Sequence, residues 1–316
     1  MQLEVVHETR YRYAAPVSLA HHLAHLQPLV DDHQALLEHS LSVEPAGAAP
    51  LAGRDSHGNA CCWFSLAQPH TRLAVRASSR VQLRSRFVGL DADASPPWDA
   101  LATRLRYVAR APFDPAVEFA MPSPFVPRLD VLKVYASASF PPGRPVAAGA
   151  IDLMHRIHAD FEYRSASTQI DTPLAQAFAQ KTGVCQDFTH LMAGAMRMLG
   201  LPVRYVSGYL LTRPPGEEVD FVGSDASHAW AQVYCPGTPG VPGAGWLDLD
   251  PTNDMIPDTG HVRVAVGRDF GDVTPLHGVI RGGGRHTLVV DVRTRVINPQ
   301  AGPVVATPSI EEKSRS

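Results

Sequence analysis

The stretch TGVCQDFTHLMAGAMRMLG, Thr182 to Gly200, decides how this chain is read. Behind Cys185, the residues Phe188, Leu191, Met192, Ala195, Met196 and Leu199 recur at helical spacing, and Gly200 and Pro202 supply the stop. The pattern predicts a buried helix with a cysteine in its first turn. Cys185 lies three residues before Phe188 and so shares the apolar stripe. A helix N-terminus offers unpaired amides and the positive end of the macrodipole, which favour an anion. The thiolate is the reactive form of cysteine. Two readings stand on the helix alone: a small apolar residue filling space, or a nucleophile.

Disulfide and metal readings of that thiol are weak. The chain has 316 residues and four cysteines, and the other three are Cys61, Cys62 and Cys235. Cys61 and Cys62 are adjacent, no CxxC pair exists, and four cysteines in such a length make neither a disulfide framework nor a zinc cluster. A hydrophobic fraction of 45%, a charged fraction of 19% and a net charge of −3 describe a soluble globular protein without a basic field for nucleic acid or anionic membrane. No run approaches the ~18 apolar residues of a membrane span. The opening MQLEVVHETRYRY lacks the layout of a secretion signal, so the expected compartment is the cytoplasm.

Outward from the helix, the chain divides by pattern. LEVVHETRYRY, HSLSVEP, ACCWFSL and RLAVRASSRVQL alternate apolar and polar residues, and RDSHGNA carries the Asp and Gly-Asn chemistry of a hairpin turn. Residues 1–90 are therefore expected to form a β-sandwich-like domain. Residues 91–145, rich in Pro and Ala, read as a connector with short helices. An α+β core is expected over 146–265, a C-terminal strand extension over 266–303, and a disordered tail over 304–316.

A cysteine nucleophile needs a base, and the base needs an orienting acceptor. Among fifteen histidines, His21, His22 and His25 cluster, at spacings compatible with one helical face, but without a carboxylate motif. His228 stands apart. In SHAWAQVY, His228, Trp230, Gln232 and Tyr234 share one strand face, and in WLDLDP so do Trp246, Asp248 and Asp250. A hairpin symmetric about Pro239 sets Trp230 opposite Asp248 and His228 opposite Asp250. A slip of two would give the role to Asp248 instead. Asp187 is expected to cap the helix start, Trp230 and Tyr209 to wall the core or cleft, and Asp269, Asp272 and His277 to be loop structure. The backbone amide of Cys185 is the expected first oxyanion donor.

GVCQDFTHLMAGAMRMLGLPVRYVSGYL, DASHAWAQVY and GWLDLDPTND together resemble the three core motifs of the transglutaminase-like superfamily. More narrowly, the chain is similar to bacterial transglutaminase-like enzymes and candidate cysteine proteases. HETRYRYAAPV, LQPL and the DSHGN turn match their N-terminal β domain. The resemblance implies a papain-like α+β core, with Cys185 as nucleophile, His228 as general base and acid, and Asp250 as the orienting carboxylate. It implies acyl transfer through a thioester on a protein or peptide substrate, with peptide or isopeptide hydrolysis favoured. Transglutaminase-type amine transfer and a non-catalytic binding module are the alternatives. No metal or other cofactor is expected, and no acidic loop resembles the calcium sites of animal transglutaminases.

Overall fold

The structure is a computed structural model that describes residues 1–110, 112–165, 167–211 and 227–297. The expected disordered tail, 304–316, lies outside the described residues. None of the described helices is long and apolar enough to cross a membrane.

The N-terminal strands are β1 (Gln2–Ala24), β2 (Gln34–Glu44), β3 (Leu51–Arg54), β4 (Ala60–Leu66) and β5 (His70–Leu83). They form one antiparallel sheet, ordered β2-β5-β1-β4-β3, rather than the two facing sheets of a sandwich. The cause is β1, which at 23 residues serves two sets of neighbours. Its first half pairs with β5, its last residues pair with β4, and the register shifts between Arg12 and Val17. Such an irregularity bends a strand, so one sheet curls where a sandwich would need two. The turn expected in RDSHGNA joins β3 to β4, and Asp55 accepts the amides of His57 and Asn59, each at 2.9 Å.

The second unit contains α1 (Trp98–Arg104), a 3-10 turn (Pro115–Ala120), α2 (Asp130–Ser137), α3 (Val146–Asp160), β6 (Glu162–Tyr163), α4 (Leu174–Gln180), β7 (Thr182–Gly183) and α5 (Cys185–Arg197). Next come β8 (Val203–Leu210), β9 (His228–Tyr234), β10 (Trp246–Leu249) and β11 (His261–Gly267), an antiparallel sheet ordered β10-β9-β8-β11. Helix α5 lies on it: Phe188, Leu191, Met192 and Met196 share one core with Val203, Ala231 and Val233. From the 91–145 stretch, Leu101, Leu105, Val126, Leu132 and Phe140 join that core.

After the short helix α6 (Phe270–Val273), strands β12 (Leu276–Gly282) and β13 (His286–Val296) return to the first sheet and both pair with β1. The two sheets meet around β11, the edge strand of the second. On one face Leu3, Val5 and Val292 pack with Tyr209, Val262 and Val264. Along its open edge, two buried side-chain amides imitate a pairing strand. Gln34 accepts from the Arg263 amide (2.9 Å) and donates to its carbonyl (2.8 Å), and Asn59 does the same at Val266 (2.8 and 2.7 Å). An open sheet edge carries unpaired amides and carbonyls, and the N-terminal unit satisfies them.

Candidate active site

Cys185 begins α5, where β7 ends and Val184 is still extended. Asp187 reaches back to accept the Val184 amide at 2.9 Å and also accepts from Thr168 Oγ1 at 2.6 Å, as a cap at the third helical position does. Gly183 permits this approach, since a Cβ there would lie 2.7 Å from the Asp187 Cβ. The cysteine is partly accessible, whereas Cys235 is buried in the core and neither is in a disulfide.

His228 opens β9 with a fully buried ring. Its Nε2 donates to Asp250 Oδ2 at 2.8 Å. Nδ1 has no hydrogen-bond partner among the described residues, and Cys185 acts on the ring electrostatically after Asp250. Burial alone would push the imidazolium down, but the Asp250 carboxylate, with a smaller part from Cys185, outweighs it and raises His228 to about 10.

Asp250 is itself entirely buried. Its Oδ1 accepts the amides of Thr252 (2.9 Å) and Asn253 (3.3 Å), and its Oδ2 accepts from Asn253 Nδ2 (2.8 Å), His261 Nε2 (3.2 Å) and His228. Burial pushes its carboxyl up, but His228 and His261 more than reverse this and hold it well below the usual carboxylate range. A carboxylate so surrounded stays ionised without water.

The hairpin register differs from the expected one while the partner does not. Gln232 opposes Asp248 and Ala231 opposes Leu249, so the loop folds about Gly240, not Pro239. Positive φ at Gly237, Gly240, Gly243 and Gly245 absorbs the difference. Extended by two, this register sets Asp250 opposite Trp230, diagonal to His228 and still within side-chain reach. Asp248 lies instead near Arg86 Nε, at 3.7 Å.

Trp230 stacks beside His228 and meets His261 edge-on, with ring centroids 6.1 and 5.2 Å apart. Tyr209 is a wall residue whose hydroxyl bonds His7 Nδ1 at 3.1 Å. Asp269 caps α6 through the Gly271 amide, Asp272 holds Arg268, and His277 lies on β12 paired with Leu23. The His21–His25 cluster does not share a helical face: it lies at the end of β1, with His21 on Ser65 Oγ, His22 stacked on Phe64 and His25 beside Asp55.

Sequence reasoning passed over His261 and Asn253. The DPTN turn was the available signal for Asn253, since an Asp there accepts amides two and three residues on. His261 has no local signal, because it arrives from the far side of the sheet. His228, Asp250 and His261 are close enough to share an ion. In the structure both rings spend Nε2 on a single oxygen of Asp250, at 2.8 and 3.2 Å.

A helix-borne thiol packed on an antiparallel sheet that carries a histidine and a buried carboxylate defines the class of thiol-dependent acyl-transfer proteins. Residues 3–82 match the bacterial transglutaminase-like N-terminal region, and residues 141–251 match the transglutaminase-like superfamily. An uncharacterized Mycobacterium tuberculosis protein is 37% identical, covering 93% of this chain and 91% of its own length. An uncharacterized Mycobacterium leprae protein is 31% identical, covering 92% and 97%. A Pseudomonas aeruginosa protein-glutamine gamma-glutamyltransferase is 30% identical over 119 residues, 36% of this chain and 17% of that one. The crystal structure of a candidate cysteine protease from Cytophaga hutchinsonii superposes with a TM-score of 0.69 at 21% identity, covering 96% of this chain and 93% of the other. This chain belongs to the transglutaminase-like superfamily.

Proposed function

We propose that this protein hydrolyses amide bonds, peptide or isopeptide, through a thioester on Cys185. The observation that carries the reading is the entirely buried Asp250 holding Nε2 of His228, which leaves Nδ1 without a partner among the described residues. Asp250 orients the imidazole and His228 takes the thiol proton. The sulfur then attacks the carbonyl carbon, forming a C–S bond and an oxyanion that the Cys185 amide stabilises from the helix start. His228 returns the proton to the departing amine as the C–N bond breaks. Water, deprotonated by His228, attacks the thioester and releases a carboxylic acid and the thiol.

The similarity of the core to a gamma-glutamyltransferase favours a second reading, in which an amine replaces water in the last step. Partition decides between them. With a Gln-containing peptide and an added primary amine, mass spectrometry is expected to find mostly carboxylate product and a Cys185 acyl adduct that is absent from Cys185→Ala. Amine incorporation that outruns hydrolysis would overturn the hydrolase reading, and a Cys185 inert to iodoacetamide near neutral pH would overturn both.

A further inference from the structure

On the face of the second sheet that also carries His228, three polar side chains stand in a row across neighbouring strands. Arg204 of β8 pairs with Gln232 of β9, which pairs with Asp248 of β10. Gln232 is only 2% exposed, and its amide borders the same space as Arg204. Arg204 has neither a hydrogen bond nor an ion pair among the described residues, and its Nε is buried without a partner. Its guanidinium stacks on Trp246, 3.9 Å from the ring centre, and on Phe119, 4.7 Å away. Burial lowers it to about 10, against the pull of Glu118 and Asp248. Stacking holds the plane of a guanidinium but leaves its edge donors unsatisfied.

That edge borders a cavity of about 250 Å³ between the sheet and the N-terminal unit. Four arginines line it (Arg54, Arg86, Arg204 and Arg263) against one carboxylate, Asp31. Asp31 is engaged by Arg86 at 2.8 Å and Arg263 at 2.7 Å, which leaves Arg204 on the floor and the exposed Arg54 at the mouth without an ion pair among the described residues. Arg54 donates to the Gly58 carbonyl. A half-buried cation stacked on two rings with its Nε unpaired, beside the Gln232 amide and facing space with a positive balance, forms a receptor for negative oxygen.

We propose that this cavity binds a small molecule through one carboxylate or phosphate group, whose oxygens accept from the Arg204 fork and the Gln232 amide N–H, with Arg54 closing the mouth. The site lies behind the sheet and is separate from Cys185, so it stands whether or not the hydrolase reading does.

Isothermal titration of the full chain at fixed ionic strength tests it, with inorganic phosphate and N-acetylglycine as separate probes. Saturable 1:1 binding of either probe is expected, and the one that binds more tightly identifies the group. Arg204→Met is expected to weaken binding about tenfold or more, since a charge-assisted pair is lost. Arg54→Gln, at an exposed position that folding tolerates, is expected to weaken it severalfold and decides the matter if the first variant does not fold. Absence of saturable binding by both probes, or affinity unchanged in the folded variants, overturns the proposal.

Discussion

Asp250 is the residue on which the site turns, because it is surrounded by donors and shielded from water. Asp250→Asn keeps the shape but presents an amide where His228 Nε2 donates, which favours the wrong tautomer. Loss of such a carboxylate costs on the order of 10⁴ in kcat, so amide hydrolysis by the variant should fall by about that factor, and Cys185 alkylation should slow with it. Stability follows the same pair. His228 holds its proton more tightly in the folded chain, near 10 against 6.5. The stabilisation is therefore complete below pH 6.5 and is lost as pH rises toward 10, on the order of a few kcal/mol. Urea unfolding at intervals across that window should show the decline in the wild type and a much smaller one in Asp250→Asn. An equal slope in both would detach His228 from Asp250.

Elements are held in place by contacts that cost little sequence. The edge of β11 is closed by Gln34 and Asn59, each bonding both backbone groups of one residue. Asn59→Ala leaves the Val266 amide and carbonyl unpaired in a buried place, at about 1–3 kcal/mol for each orphaned group. Chemical denaturation should register this, and amide exchange at Val266 should accelerate while that of α5 changes little. At Gly208 of β8 the approach of β9 and β11 is closer still. Opposite His228 stands Gly208, where a Cβ would lie 2.2 Å from the Val262 carbonyl and 2.5 Å from the Trp230 ring. Gly208→Ala should therefore displace Trp230, which stacks on His228, and lower activity by more than its ~1–3 kcal/mol loss of stability would explain.

At the scale of the molecule, the N-terminal unit and the C-terminal strands are one sheet folded onto the back of the site. Gln34, Leu83 and Arg86 face Trp230, Asp248 and His261 across a cavity of about 20 Å³, so this unit keeps water from the rear of the His228–Asp250 pair. A chain ending at residue 275 would strip β12 and β13 from β1 and expose its edge along both halves. It should bind a hydrophobic dye, aggregate and lose the cooperative unfolding transition, even though helix α5 and the second sheet are retained. A soluble, cooperatively folded 1–275 chain would show that the closing strands are dispensable.

Features that depend on neighbours along the chain were legible before any fold was known. Helical spacing behind Cys185 predicted α5, alternation predicted most of the strands, and the Asp and Gly of RDSHGNA predicted the turn into β4, though not the short β3 before it. Candidate chemistry was legible for the same reason, because Cys185, His228 and Asp250 sit at a helix start, a strand start and a strand end. Tertiary structure alone decided the register of β9 on β10, the arrival of His261 at Asp250, the single curled first sheet and the return of β12 and β13 to β1. Those features join residues tens to hundreds of positions apart. A strand's periodicity states which face is buried but not which distant strand will cover it, and a loop of positive-φ glycines can shift the register while keeping each side chain on its face.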